Sequence, residues 1–169
     1  RGRPAGHPVA RSGLVDLGLI ERRDVPPASL FRLVAEHVAS RAVLALARST
    51  DTVLDEIGRL AASLLHPPVS VIVFGSFARR QAETNSDIDV VVVRPPGIDE
   101  DNEDWAKSLE GWRGDVGRLT GNPIEVLEVS VDEAAAKVAG HSHLWAEIVR
   151  DGRGRHGLDA EEVRRRHGA

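Results

Sequence analysis

Two acidic residues at the start of an apolar strand are the clearest chemical signal in the chain. Asp87 and Asp89 flank Ile88 and stand directly before four consecutive valines. Because alternate residues of a strand point to the same face, the two carboxylates converge. Converging carboxylate oxygens suit Mg²⁺ or Mn²⁺, whose other coordination positions are filled by water and substrate phosphates. The pair therefore predicts a divalent-metal site that binds a phosphate-bearing substrate.

A strand that ends in a glycine–serine pair lies upstream of these acids. Residues 69–74 form an apolar run that predicts a buried strand, and Gly75-Ser76 ends it before a predicted short helix. Glycine permits a close approach that a Cβ would prevent, and the Ser76 hydroxyl can cap the helix. Free N–H groups at a helix start favour phosphate. Since such a pair alone is usually a plain turn, its significance comes from the acids that follow.

The two segments together resemble the signature of the DNA polymerase β-like nucleotidyltransferases, and more narrowly of the minimal nucleotidyltransferases of bacteria and archaea. The matching residues are GSFAR at 75–79 and SDIDV at 86–90. The stretch WAEIVRDG at 145–152 is similar to the helix that often ends the family's domain. The resemblance covers residues 50–152. It implies an α+β fold, in which a small mixed β-sheet has helices packed on one face.

The resemblance also implies residue roles. Asp87 and Asp89 would be catalytic metal ligands with a third carboxylate on a later strand, and Glu125 occupies that place in Ile124-Glu125-Val126. Glu128 is an alternative acid, but residues 125 and 128 differ in parity and face opposite sides of a strand. The phosphate-binding residues implied by the family are Gly75, Ser76, Arg79 and Ser86.

Two residues depart from the family's pattern. The family usually has glycine after the arginine of its signature, and this chain has Arg80 there. Either the turn differs, or Arg80 reaches a phosphate. The third acid is Glu125 rather than an aspartate. Its longer side chain can still bind a metal ion or accept a proton, so the departure affects geometry and rate more than capability.

These residues indicate a Mg²⁺- or Mn²⁺-dependent nucleotidyltransferase that transfers a nucleoside monophosphate, AMP from ATP, to an acceptor hydroxyl. Two metal ions can stabilise both the attacking and the leaving oxygen of such a transfer, so no covalent enzyme intermediate is required. Small families that resemble this chain often act as antitoxins. The resemblance therefore implies a partner toxin of the nucleotide-binding, helical-bundle class.

The N-terminal segment suggests a second function. Residues 1–48 carry eight arginines against four acids. A short helix, the stretch LGLIERR, a turn and then residues 30–34 resemble the second half of a winged helix-turn-helix, whose first helices would lie before residue 1. The alternative function is a DNA-binding regulator whose nucleotidyltransferase domain senses nucleotides or is degenerate. A solvated arginine-rich surface is an equally simple interpretation of the charge.

Periodicity and turn residues divide the chain into three segments. We expect an N-terminal segment at 1–48 with a partial winged helix and a linker helix, a nucleotidyltransferase domain at 49–155 and a C-terminal tail at 156–169. Further strands are predicted at 88–93 and 124–129. Helices are predicted at 33–47, from a cap at Ser49 or Thr50 to Leu65, and at 100–119, 131–139 and 143–150.

The composition excludes several classes of protein. The 169 residues are 41% hydrophobic and 28% charged, a balance that permits a sizeable core. Cysteine is absent, which excludes disulfides, thiolate metal sites and a cysteine nucleophile, and agrees with a cytoplasmic location. No apolar run approaches the roughly 20 residues that cross a bilayer, so no membrane association is expected.

Overall fold

The computed structural model describes residues 8–82, 86–140 and 142–167. The chain forms two compact units, one up to Ser49 and one from Thr50 onward. None of the helices in the described ranges is both long enough and apolar enough to span a membrane.

The first unit contains two helices and a β-hairpin: α1 (Pro8–Asp16), β1 (Ile20–Val25), β2 (Ala28–Leu33) and α2 (Ser40–Ala47). The hairpin is antiparallel, and Ile20 pairs with Leu33 at its open end. The winged-helix identity of this segment stays a prediction. The predicted helix at 33–47 is wrong in its first half, because Leu33 still belongs to β2. The helix starts at Ser40, whose hydroxyl donates to the Val34 carbonyl.

The second unit is built on a four-stranded mixed sheet in the order β5-β4-β3-β6. Strands β4 and β5 are parallel, and β3 runs antiparallel to both β4 and β6. The strands are β3 (Ser70–Val73), β4 (Ile88–Val93), β5 (Ile124–Val129) and β6 (Arg153–Gly157). The helices are α3 (Ser49–Ala62), α4 (Gly75–Ala78), α5 (Glu103–Thr120), α6 (Val131–Ala139), α7 (His143–Asp151) and α8 (Ala160–His167). The predicted α+β class with a small mixed sheet is confirmed.

Helices cover both faces of the sheet rather than the one face predicted. On one face, Val71, Val73, Val90 and Val92 pack against α3 and α5. On the other, Ile72, Val91 and Val93 pack against α6, α7 and α8. The reason is the continuous valine run of β4, which places apolar side chains on both faces, so that each face needs a cover.

The end of the chain adds strand β6, which the sequence pattern did not indicate, and helix α8, where the charged pattern of 159–167 permits either a short helix or disorder. Strand β6 was missed because RGRHG has no apolar alternation, yet it pairs with the fully buried β3. Helix α8 lies in the segment expected to be a tail. Its Ala160 and Val163 are buried in the core on the α6 face, so the segment is part of the packed unit.

The helices around the sheet begin at defined capping residues. Ser130 caps α6 through a capping box, in which its side chain accepts from the Glu133 N–H and the Glu133 carboxylate accepts from the Ser130 N–H. Asn102 caps α5, and Gly121 ends it in the left-handed conformation. Gly121 lies in the turn that leads into β5, and Ser130 caps the helix that follows it.

Candidate active site

The parallel pairing of β4 and β5 brings two of the predicted acids side by side. Asp89 stands directly opposite Glu125 in the ladder. Its neighbours Ile88 and Val90 belong to the core on the α3 side, so alternation puts the Asp89 carboxylate on the other face. Asp87 lies just before β4 and is exposed, as is Glu125, whereas Asp89 is half-buried. The three acids therefore lie where β4 and β5 begin, near enough for the charges of Asp87 and Glu125 to act on Asp89.

The charges of these acids act on one another. Burial raises the pKa of Asp89 most, and the negative charges of Asp87 and Glu125 raise it further. Arg79 opposes this shift, as its positive charge lowers the pKa of the same carboxyl. Burial and the two neighbouring carboxylates all disfavour the ionised form of Asp89, and a cation would stabilise that form.

Gly75 leaves room for the Asp89 carboxylate. It adopts a left-handed conformation with φ +68°, which disfavours any residue with a Cβ. A Cβ added there would stand 2.2 Å from Asp89 Oδ2. The glycine of the sequence signature therefore has a steric reason. Only a residue without a Cβ lets the chain after β3 approach the Asp89 carboxylate so closely.

Ser76 lies inside the single turn of α4 and does not cap it. The N-cap position belongs to Phe74, which makes no side-chain capping bond, so the predicted Ser76 cap is not formed. The helical turn begins two residues earlier than a Ser76 cap would require, with Gly75 in the left-handed conformation. The half-buried Ser76 side chain thus sits next to Gly75 at the site.

The two arginines after α4 have different partners. Arg79 Nη1 lies 3.8 Å from Asp151 Oδ2 at the end of α7, and Arg79 Nε donates to Gln81. Arg80 donates to both carboxylate oxygens of Asp51, at 2.6 and 2.9 Å. Arg80 also has φ +56°, so the turn keeps a left-handed conformation where the family usually has glycine. Neither arginine forms a salt bridge with the three acids of the site.

Ser86 helps to hold the loop that carries Asp87. Its carbonyl accepts from Asn122 Nδ2 at 3.0 Å, and the Ile88 N–H donates to the Pro123 carbonyl at 2.8 Å. Both bonds join the start of β4 to the turn before β5. They fix the register that places Asp89 opposite Glu125.

Glu128, the alternative third acid, has a structural role on the other face. Arg94 donates to Glu128, and so does Trp105 Nε1, at 2.8 Å. Trp105 is fully buried and Arg94 is nearly so. Glu128 therefore neutralises a buried arginine beneath α5, away from Asp89.

The acids suit a divalent metal ion that shares its ligands with a substrate. Among the described residues, no three His, Asp or Glu side chains are gathered closely enough to enclose a metal ion by themselves. Mg²⁺ usually takes only one or two protein carboxylates and completes its shell with water and phosphate oxygens. Asp87, Asp89 and Glu125 supply hard oxygen donors of the kind that this mode of binding uses.

The fold and this site define a nucleotidyltransferase: a strand, a glycine turn, and paired acids on the next strand. The sequence matches the model of the nucleotidyltransferase domain family over residues 55–139, which is half of the chain. The chain belongs to this family, and the predicted resemblance to DNA polymerase β-like nucleotidyltransferases is confirmed. The protein is therefore a nucleotidyltransferase.

Several solved structures are similar to this chain. One is a toxin–antitoxin with AMP-PNP, with 16% identity and a TM-score of 0.46, covering 68% of this chain and 82% of that one. A mutant of the toxin–antitoxin MntA-HpeT has 14% identity and a TM-score of 0.45 over the same shares. A minimal nucleotidyltransferase has 18% identity and a TM-score of 0.38, covering 66% of this chain and 93% of that one. No curated protein matches the sequence.

Proposed function

We propose that the protein transfers AMP from ATP to an acceptor hydroxyl with the help of Mg²⁺. The observation that supports this most is the pairing of Asp89 with Glu125, with Gly75 close against the Asp89 carboxylate. A bound metal ion would supply charge stabilisation to the phosphates. The three acids would hold it, and the pKa shift of Asp89 fits a cation at that place.

The reaction needs a phosphate-binding side and a proton acceptor. Gly75, Ser76, Arg79 and Ser86 are proposed to bind the triphosphate, with Arg79 supplying a positive charge close to Asp89. The acceptor oxygen attacks the α-phosphorus, the bond from that phosphorus to the bridging oxygen breaks, and pyrophosphate leaves. Glu125, exposed and next to Asp89, is proposed to accept the proton of the attacking hydroxyl.

The acceptor is proposed to be a hydroxyl on a partner protein, namely a toxin of the nucleotide-binding helical-bundle class. The resemblance to minimal nucleotidyltransferases suggests this partner. The exposure of Asp87 and Glu125 supports it, because exposed acids allow a macromolecular hydroxyl to approach.

Labelled ATP tests the proposed transfer. The full chain is incubated with Mg²⁺, a lysate of the source cells, and ATP labelled on either the α- or the γ-phosphate. Label from the α-phosphate should enter a protease-sensitive product, while label from the γ-phosphate should not. The Asp87→Asn/Asp89→Asn variant should be inactive. The Asp99→Asn/Asp101→Asn variant is a matched control, because it removes two exposed acids of the same spacing elsewhere. Transfer of the γ-label would identify a phosphotransferase and contradict the proposal.

The β1–β2 hairpin favours a second candidate function, DNA binding by a regulator. Arg22, Arg23 and Arg32 are exposed on this hairpin. Arg22 and Arg32 are paired with Asp24 and Glu21, which leaves Arg23 as the hairpin arginine without a salt bridge to any described residue. Duplex affinity that falls steeply with salt, and weakens in Arg23→Gln, would support this function. Unchanged affinity in that variant would count against the hairpin.

A further inference from the structure

A cavity of about 460 Å³ lies beside α4 and has a strongly basic lining. Its charged residues are four arginines and one aspartate: Arg79, Arg80, Arg153, Arg155 and Asp51. Leu54 and Phe77 contribute an apolar wall. The volume falls in the range of pockets that bind small molecules.

The cavity lies on the face of the sheet opposite the three acids. Arg153 pairs with Val73, whose side chain packs against the α3 side. Asp89 points to the α6–α8 side, because its neighbours Ile88 and Val90 face α3. The cavity is therefore distinct from the site of the three acids, although Arg79 lies close enough to influence both.

The arginines of this cavity keep a surplus of positive charge. Arg80 is paired with Asp51 and Arg155 with Asp55, but these aspartates are substantially exposed, and salt bridges of this kind are weak. Arg153 forms no salt bridge with any residue in the described part of the chain, but its charge acts on Asp151. Hydrogen bonding to Arg150 lowers the pKa of the Asp151 carboxyl most, and the charges of Arg79 and Arg153 lower it further. Arg155 is mostly buried, and its Nε–H has no hydrogen-bond partner there. Because the Arg155 Nε–H is itself buried, an anionic ligand in the cavity would compensate chiefly the charges of the exposed Arg80 and Arg153.

We propose that this cavity binds a phosphate-bearing small molecule, either an inorganic polyphosphate or a nucleotide, without a metal ion. Guanidinium groups bind phosphate oxygens through paired N–H donors, and several arginines around one cavity favour a multiply charged phosphate over a single carboxylate. The wall formed by Leu54 and Phe77 suits the flat face of a nucleobase. The proposal involves no acid of the active site, but the cavity shares Arg79 with the proposed triphosphate site, so Arg153 and Arg80 carry its test.

Binding without metal distinguishes this cavity from the active site. Inorganic tripolyphosphate and ATP are each titrated into the full chain in EDTA, with affinity followed by calorimetry. Arg153→Gln should weaken binding about tenfold, as expected for one lost charge-assisted hydrogen bond. Arg80→Gln should weaken it as well. Arg118→Gln, an exposed arginine of α5, is the matched control and should bind like the parent. Thermal melts confirm that each variant is folded.

The active-site variant supplies the second comparison. Asp87→Asn/Asp89→Asn should retain metal-free binding of both ligands. ATP binding tighter than tripolyphosphate would assign the cavity to a nucleotide, and equal binding would assign it to polyphosphate. Failure of both ligands to bind in EDTA would overturn the proposal. So would unchanged affinity in both Arg153→Gln and Arg80→Gln, or loss of binding in the double aspartate variant.

Discussion

Adding one methyl group at Gly75 tests whether the position of the Asp89 carboxylate controls function. The Cβ of an alanine there would stand 2.2 Å from Asp89 Oδ2, whereas C···O contacts lie at about 3.3 Å or more. The carboxylate must therefore move by about 1 Å, which is the difference between these two distances. A misplacement of about 1 Å can lower a rate by about 100-fold. We expect a loss of this size in nucleotidyl transfer for Gly75→Ala.

Backbone strain at Gly75 has to be separated from the displacement of Asp89. The left-handed conformation costs a residue with a Cβ about 1–2 kcal/mol. Gly121 is a matched control, because its φ is +74° and a Cβ there would meet nothing within 4 Å. Both alanine variants should lose about 1–2 kcal/mol of unfolding free energy in urea. Only Gly75→Ala should lose transfer activity and Mg²⁺-dependent ATP binding. Equal activity of the two folded variants would refute the steric argument.

Substitutions at three other positions test the fold around the site. Ser130→Ala should lower the unfolding free energy by about 1 kcal/mol in urea, since it removes the α6 cap; no change would mean that the box is unimportant. The Ser130 N–H and hydroxyl lower the pKa of Glu133, so the ionised Glu133 carboxylate stabilises the fold at pH values above its unfolded-state pKa. Thermal melts at decreasing pH should show this stabilisation disappear as the pH falls through the folded-state pKa of Glu133. The unfolding free energy of Arg80→Gly should exceed that of Arg80→Ala by about 1 kcal/mol, because both variants lose the arginine side chain but only alanine is strained in the left-handed conformation. A more stable Arg80→Ala variant would contradict the left-handed backbone conformation at this position. Burial, then Asp87 and Glu125, raise the pKa of Asp89, so stability without metal should fall as the pH rises from the usual aspartate pKa to the raised one. In thermal melts with EDTA, Asp89→Asn should abolish this dependence of stability on pH. A marked loss of stability of this variant at neutral pH would show instead that the Asp89 carboxylate stabilises the fold through a structural contact.

The elements closest to the chemistry were the most predictable from sequence. Strands β4 and β5 and helix α6 have the predicted bounds. Their signals are strong because a continuous valine run, a proline turn and a Ser-x-x-Glu box each restrict the backbone locally. The place of Glu125 opposite Asp89 could not be predicted in the same way. It depends on the parallel register of two strands that are 30 residues apart, which hydrogen bonds around Asn122 and Pro123 fix.

The unpredicted features depend on tertiary contacts. Strand β6 has no strand pattern of its own, and its pairing with the buried β3 decides its conformation. Helix propensity over 33–47 was overruled by the pairing of Leu33 with Ile20. The left-handed conformation of Arg80 is consistent with the glycine that the family usually has at this position. The pairing of Arg80 with Asp51, which is 29 residues away in sequence, could be seen only in the structure. The basic cavity was missed because its arginines come from two segments far apart in sequence, the turn after α4 and strand β6.

Calorimetric titration of ATP in Mg²⁺ and in EDTA tests the central claim most directly, namely that Asp87 and Asp89 bind the metal ion that holds the nucleotide. The parent is compared with Asp87→Asn/Asp89→Asn and with the Asp99→Asn/Asp101→Asn control, each shown to be folded by its thermal melt. The account predicts a Mg²⁺-dependent increase in affinity for the parent and the control, and none for Asp87→Asn/Asp89→Asn. An equal Mg²⁺-dependent increase in all three proteins would contradict it.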